Sequence, residues 1–184
     1  RGGNNMAPHD LVAPQPVESE VIIETRGLSR VYPGVTALDN VNYRVYRNKV
    51  NVLIGENGAG KSTMMKMLAG VETPSSGQII LDGEAVTLNS THQAEKFGIS
   101  IIFQELNLFP NMNVMDNIFM ANEFFQKGRI NEKYQYALAK SLLERLELDV
   151  DPYTPLGELG IGHQQLVEIA RALSKDTRVL IMDE

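Results

Sequence analysis

Residues 55–62 read Gly55-Glu56-Asn57-Gly58-Ala59-Gly60-Lys61-Ser62, which is the spacing G-x-x-x-x-G-K-[ST]. The β-rich run at residues 50–54 predicts a strand before this segment, and residues 61–68 predict a helix that stops at Gly70. Glycines allow the backbone to wrap closely around an anion, and the N-terminus of a helix adds partial positive charge. The segment therefore predicts a phosphate-binding loop between a strand and a helix. A chance match to its fixed positions is expected in about one chain in a hundred of this length.

Two side chains of this loop have predicted roles in binding a nucleoside triphosphate. The ammonium group of Lys61 would reach the β- and γ-phosphates, and the hydroxyl of Ser62 would ligate Mg²⁺. ATP and Mg²⁺ are the expected cofactors.

Two carboxylates follow an apolar run at the other end of the sequence, which reads Val179-Leu180-Ile181-Met182-Asp183-Glu184. In a parallel sheet, ligands bind beyond the carboxyl ends of the strands, where the loop at residues 55–62 also lies. We expect Asp183 to hold Mg²⁺, chiefly through water, and Glu184 to polarise the water that attacks the γ-phosphate.

Composition narrows the class of protein. The chain has 184 residues, 43% hydrophobic and 22% charged, with a formal net charge of -6 and no cysteine. The length is enough for one domain with a hydrophobic core. The lack of cysteine excludes disulfides, thiolate zinc sites and cysteine nucleophiles. The acidic balance argues against nucleic acid as a partner. With no apolar run of about 18 residues and no signal peptide, we expect a cytoplasmic protein that meets membranes through a partner.

The remaining pattern predicts an α/β fold with a largely parallel sheet, because strand-like and helix-like segments alternate. Residues 1–19 contain Gly, Asn and Pro with little to bury and are expected to be a flexible tail. Apolar alternation predicts strands over residues 21–32 and 41–45. The other expected elements are strands at 78–81, closed by an Asp82-Gly83 turn, at 99–103 and at 179–182, and mostly helix over 113–148 with an interruption at 127–131. Leu166, Ile169, Ala170 and Leu173 are expected to share one helical face.

Between the two phosphate-site motifs, the sequence resembles the ATP-binding subunits of ABC transporters. Phe103-Gln104-Glu105 resembles the family's Q-loop, residues 159–165 (Leu-Gly-Ile-Gly-His-Gln-Gln) resemble the signature motif, and Tyr32 lies where the family stacks an aromatic ring on adenine. The sequence around these motifs is most similar to the amino-terminal nucleotide-binding domain of carbohydrate importers of the ribose, galactose and xylose type. The resemblance covers about residues 20–184.

The resemblance implies a set of site residues. The expected nucleotide contacts are Tyr32, Gly55, Glu56, Asn57, Gly58, Ala59, Gly60, Lys61, Ser62, Thr63, Gly160, Ile161 and Gly162. The expected catalytic residues are Glu184, Lys61 and Gln104, and the expected Mg²⁺ ligands are Ser62, Gln104 and Asp183. In the family, the signature residues contact the γ-phosphate bound by an opposing nucleotide-binding domain.

The resemblance also implies an architecture and partners. A P-loop NTPase core, of the RecA-like type, would carry an antiparallel β subdomain and a helical subdomain at about residues 106–160, and would be incomplete at the C-terminus. The domain would work at the cytoplasmic face of the bacterial inner membrane with permease subunits, a second nucleotide-binding domain and, indirectly, a periplasmic sugar-binding protein. Family motifs that follow Glu184 are not in this sequence, so we expect the isolated chain to hydrolyse ATP weakly or not at all.

The signature motif departs from the family pattern at two positions. Gly160 replaces the usual serine and His163 the usual glutamine. Loss of the serine hydroxyl predicts a weakened contact, since a hydrogen bond to a charged group contributes about 1.5–3 kcal/mol.

Three other readings compete with an ATPase that drives sugar or polyol import. One is a non-hydrolysing ATP-binding module that acts only by pairing with another domain. A GTPase is disfavoured because Asn48-Lys49-Val50-Asn51 lacks the aspartate of the guanine-binding motif and precedes the phosphate loop. ABC proteins of DNA repair or translation share the core motifs, but the acidic balance and the segment around Gln104 argue against them.

Overall fold

The computed structural model describes residues 20–183, so the predicted tail at 1–19 and Glu184 lie outside the described residues. Eight strands and five α-helices follow one another along this range, with a short 3₁₀ helix at Leu156–Glu158 before the last helix. In chain order they are β1 (Val21–Tyr32), β2 (Val35–Tyr46), α1 (Lys61–Leu68), β3 (Ser76–Leu81), β4 (Glu84–Val86), α2 (Thr91–Lys96), β5 (Ile99–Ile102), α3 (Val114–Phe119), β6 (Phe125–Gln126), β7 (Arg129–Ile130), α4 (Glu132–Arg145), α5 (Ile161–Leu173) and β8 (Val179–Met182).

The largest sheet is antiparallel, with the strand order β2-β1-β3-β4. Asp82 and Gly83 connect β3 to β4 with positive φ angles of 52° and 84°, the backbone that a tight hairpin turn requires. The predicted strands at 21–32 and 78–81 and the predicted turn are therefore confirmed. The resemblance also correctly implied an antiparallel β subdomain.

Parallel pairing is limited, within residues 20–183, to β5 and β8, which lie in register from Ile99 opposite Val179 to Ile102 opposite Met182. The expectation of a largely parallel sheet is therefore wrong for this part of the chain. The strand predicted at residues 50–54 is also not formed. No backbone hydrogen bond of this segment to a described strand occurs, and Val50 and Ile54 are 93% and 87% exposed. An apolar alternating segment becomes a strand only when a neighbour supplies backbone partners.

The core of the described part of the chain has two apolar clusters. The first lies between the antiparallel sheet, α1, α2 and the β5–β8 pair, with Ile23, Leu28 and Met67 fully buried. The second joins α3, α4 and α5 around Phe119 and Leu143.

The prediction of mostly helix over residues 113–148, interrupted at 127–131, agrees with the start of α4 at Glu132. The break is longer than predicted, because α3 already ends at Phe119 and the short hairpin β6–β7 follows. Asn113 and Asn131 cap the two helices by accepting backbone N–H bonds from Asp116 and Tyr134, so each helix begins where its capping side chain stands.

The buried face of α5 is centred on Val167 and Ala170, with Leu166 and Leu173 beside them. Ile169 was expected on this face but is not part of the cluster. Within residues 20–183, no helix is long and apolar enough to cross a bilayer.

Candidate functional site

The segment at residues 55–62 forms an exposed loop that ends at the first turn of α1. Gly60 is the N-cap of that helix, with φ 86°, and a Cβ atom built on it would lie 2.5 Å from the carbonyl oxygen of Ala37. Only glycine fits this position, because a side chain would meet both an unfavourable backbone angle and the neighbouring strand. The loop is thereby packed against β2.

Lys61 folds back over the loop. Its Nζ donates hydrogen bonds to the carbonyl oxygens of Gly55, at 2.8 Å, and Glu56, at 2.9 Å. An ammonium group has three donors, so one remains for another acceptor. The positive charge is therefore held at the mouth of the loop, beside the amides that a phosphate would contact.

Ser62 connects the loop to the end of β8. Its hydroxyl donates to Oδ1 of Asp183 at 2.9 Å. Two of the three predicted Mg²⁺ ligands are thus brought together, and the hydroxyl and the carboxylate are both oxygen ligands of the kind that Mg²⁺ prefers.

Gln104 follows β5 and leaves the sheet at the same edge as Asp183. The backbone N–H of Asp183 donates to the carbonyl of Ile102 at 3.1 Å, which fixes the two strand ends side by side. The Gln104 side chain is exposed and has no hydrogen bond to any residue between 20 and 183. The structure brings its backbone to the site but does not bring its side chain to Ser62 or Asp183.

Tyr32, the residue predicted to stack on adenine, ends β1 with its ring already in contact with a cation. The guanidinium of Arg30 lies 4.7 Å from the ring centroid, and the Tyr32 hydroxyl donates to Glu72. Arg30 is also 3.3 Å from Glu72 and donates to the Thr73 carbonyl at 2.7 Å. Sequence analysis missed Arg30 and Glu72, because β1 and the segment after α1 meet only in the folded chain.

The signature segment forms the exposed start of α5. Gly160 is the N-cap, with φ -64°, and an added Cβ would have nothing within 4 Å. Gly160, Ile161, Gly162 and His163 are all exposed. The start of α5, where a helix leaves its first N–H groups without intrahelical partners, is therefore accessible from solvent.

The structure also places a buried carboxylate that sequence analysis did not single out. Glu168, on α5, is 8% exposed, and burial raises the pKa of its carboxyl group, although the Asn107 N–H and the charge of Arg171 oppose this shift. The sequence did offer one indication of this burial, because the glutamate lies between the apolar residues Val167 and Ala170.

The glycine-rich loop that leads into α1, its G-x-x-x-x-G-K-[ST] sequence and the Ser62–Asp183 contact are those of a P-loop α/β protein. A family model described as "ABC transporter" matches residues 38–184, and the chain belongs to this family.

Named relatives and solved structures agree with that assignment. The chain is 48% identical over 168 residues to the L-arabinose transport ATP-binding protein AraG of Geobacillus stearothermophilus, and 49% identical over 168 residues to the xylose import ATP-binding protein XylG of Thermoanaerobacter pseudethanolicus. Each comparison covers 90% of this chain and 33% of the relative, so the chain spans about a third of the length of these proteins.

Among solved structures, cbiO1 from Clostridium perfringens, part of the ABC transporter complex cbiONQ, superposes with a TM-score of 0.75 at 28% identity, over 90% of this chain and 66% of that one. The ADP conformation of MJ1267, an ATP-binding cassette of an ABC transporter, gives 0.74 at 26% identity, over 89% and 68%.

Proposed function

We propose that the chain binds ATP at residues 55–62 and, within a larger ABC transporter, hydrolyses it to drive import of a sugar. The Ser62–Asp183 hydrogen bond carries the proposal, because it joins the phosphate loop to the acidic strand end. The relatives' names, which include L-arabinose transport and xylose import, support a sugar or related polyol as the transported molecule.

The residues of this chain would divide the work of binding and hydrolysis. Backbone N–H groups of residues 55–60 and the start of α1 would surround the β-phosphate, with Thr63 on the first turn of the helix. Lys61 would exchange its bonds to Gly55 and Glu56 for bonds to phosphate oxygens, so its charge is already in position. Glu184, adjacent to Asp183, would orient and polarise the attacking water.

A Mg²⁺ ion fits the donor set at this place. Ser62 would ligate the ion directly and Asp183 would ligate it through water. Gln104 would become a ligand after a change in the rotamer of its exposed side chain. Mg²⁺ keeps several waters and takes few protein ligands, which agrees with this small set. When bound, the ion neutralises charge on the phosphate oxygens.

Adenine would stack on Tyr32. The Arg30 guanidinium covers one face of the ring, and the bond to Glu72 fixes its orientation, so the opposite face would meet the base. A ring that is already held loses little conformational freedom when the base arrives.

A second nucleotide-binding domain would complete the site. Gly160, Ile161 and Gly162 lie on the exposed start of α5 and would contact the γ-phosphate held by that domain. The two apolar clusters support a division into a nucleotide-binding core and a helical subdomain over about residues 106–160, the latter also using α5. Membrane permease subunits, a periplasmic sugar-binding protein and a position at the cytoplasmic face of the bacterial inner membrane follow from this proposal.

Turnover and transport by the intact protein, assembled with its permease, test the proposal. Wild type should hydrolyse ATP only with Mg²⁺, and Glu184→Gln should keep nucleotide affinity while losing turnover. Uptake of labelled arabinose, xylose and ribose by the assembled transporter would identify the sugar. Nucleotide binding without any turnover in the wild-type assembly would contradict the ATPase and favour a non-hydrolysing module.

A further inference from the structure

The backbone of Asn107 is held between two charged side chains of α5. Its N–H donates to Oε1 of Glu168 at 3.4 Å, and Arg171 Nη1 donates to its carbonyl oxygen at 2.9 Å. Glu168 and Arg171 are three residues apart and therefore share one face of the helix. Both the backbone N–H and the backbone carbonyl of this one loop residue are thus attached to α5, an arrangement that we call the Asn107 clamp.

Glu168 occupies an energetically costly position. Its second oxygen, Oε2, is buried and has no hydrogen-bond partner among residues 20–183. It lies beside a cavity of about 300 Å³ that Phe103, Asn107 and Arg171 also line. A buried carboxylate oxygen without a partner destabilises the folded state. An apolar side chain at this position would pack equally well without this cost. The feature that only a side chain such as that of Glu168 supplies is the hydrogen bond to Asn107.

The clamp lies between two parts of the proposed site. Asn107 is three residues after Gln104, and Glu168 lies on the helix that begins with Gly160 as its N-cap. On the far side of the clamp, Phe109 is fixed to α3 by two hydrogen bonds with Asn117, at 2.8 and 3.0 Å. The segment from Gln104 to Leu106 precedes both attachments and is joined to Asn107 by a hydrogen bond from the Asn107 side chain to the Glu105 carbonyl at 3.3 Å. A displacement there therefore reaches α5 through Asn107.

We propose that Glu168 and Arg171 are positioning residues that tie the Gln104 loop to α5, so that loop and signature segment move together during turnover. This inference rests on the proposed function, because the two segments would serve opposite nucleotide sites. A helix transmits such a displacement along its length as a rigid element.

Turnover in the intact transporter tests the clamp. Glu168→Ala and Arg171→Met should each lower kcat by about tenfold, within the range typical of coupling between sites, while the dissociation constant for Mg·ATP stays within twofold. Glu168→Gln keeps an acceptor for the Asn107 N–H and should restore kcat to within twofold of wild type. Glu144→Ala and Arg145→Met, on exposed positions of α4, are the matched controls. Equal kcat values for clamp and control variants would overturn the proposal.

Hydrogen exchange at the Asn107 amide provides a test that does not depend on activity. The Asn107 N–H donates to Glu168, so this bond should contribute to the protection of the amide from exchange. Glu168→Ala should accelerate exchange at Asn107 about tenfold, and Glu144→Ala should leave it unchanged. Unchanged exchange in Glu168→Ala would overturn the clamp itself. Lack of ATP binding or turnover in the wild-type assembly would instead contradict the proposed function.

Discussion

The hydroxyl of Ser62 donates to the carboxylate of Asp183 at 2.9 Å, although 121 positions separate the two residues in the sequence. One stands on the first turn of α1, and the other directly follows β8. Each of the two segments is common in isolation. Together they form a specific candidate site for a metal ion, because a hydroxyl and a carboxylate at this distance can share one hydrated cation.

Removing either partner of this contact should make nucleotide binding less dependent on magnesium. Ser62→Ala and Asp183→Asn should each weaken Mg·ATP binding by about tenfold or more, as expected for loss of a charge-assisted interaction, and should change binding of metal-free ATP less. Calorimetric titration with and without Mg²⁺ measures both affinities. Ser141→Ala, on the exposed face of α4, is the control. Equal weakening with and without metal would contradict this assignment.

Gly60 should tolerate no side chain. Gly60→Ala combines a positive φ with a clash against the Ala37 carbonyl, and should lower the free energy of unfolding by about 2–3 kcal/mol. Gly58→Ala has a similar φ of 84° but open space around the added Cβ, so it should cost only about 1 kcal/mol. Chemical denaturation measures both values. Equal losses would show that backbone strain alone, and not contact with β2, requires glycine at position 60.

Gly160→Ser should raise ATP turnover of the assembled transporter by about tenfold. The position has φ -64° and open space, so the serine fits without strain and its hydroxyl becomes available to a phosphate bound by the partner domain. Gly160→Ala adds the Cβ without the hydroxyl and should leave the rate unchanged. An unchanged rate in Gly160→Ser would rule out a weak signature contact.

Tyr32 should contribute its ring rather than its hydroxyl to nucleotide affinity. Tyr32→Ala should weaken ATP binding by about tenfold, since stacking of a base on an aromatic ring contributes about 1–3 kcal/mol. Tyr32→Phe loses the bond to Glu72 but keeps the ring, so its affinity should remain within about twofold of wild type. A fluorescent ATP analogue distinguishes these outcomes. A large loss of affinity in Tyr32→Phe would indicate that the Glu72 contact, rather than stacking, is what matters.

The buried carboxyl of Glu168 should make stability depend on pH. Because its folded-state pKa is raised, the folded protein holds this proton more tightly than the unfolded chain does. Stability contributed by the group is therefore lost as pH rises from the ordinary carboxyl range through the folded-state pKa. Arg171 is the cation next to the carboxyl, and Glu95 and Lys175, which form an ion pair, line the same cavity. Glu168→Gln should be more stable than wild type at neutral pH, and the difference should disappear in acid. Denaturation curves at several pH values measure it, and a difference independent of pH would contradict the prediction.

Local patterns in the sequence predicted much of the fold. Residues 61–68 form α1, Asp82-Gly83 forms the hairpin turn, and residues 55–62 form the loop, because glycine geometry and helix signals act within a few residues. The strand at 50–54 was predicted wrongly since pairing depends on a distant neighbour. The hairpin β6–β7 was missed because its strands have only two residues each.

The candidate site was predictable where one motif supplies the residue type. Ser62 and Asp183 meet in the folded chain, whereas the roles of all the predicted site residues, Glu184 and Gln104 among them, stay predictions. The Arg30–Tyr32–Glu72 contacts and the Asn107 clamp could not be read from the sequence. Each joins side chains or peptides that are far apart in the chain, and no periodicity marks such long-range bonds.

The alternating exposure of residues 50–54 has a consequence for handling the protein. Val50, Val52 and Ile54 present apolar side chains along a backbone whose amides and carbonyls are unpaired within residues 20–183. Such an edge is a template for intermolecular β-pairing, a concentration-dependent reaction. Refolding of the 184-residue chain on its own should therefore give monomer in dilute solution and β-rich aggregates as the protein concentration rises.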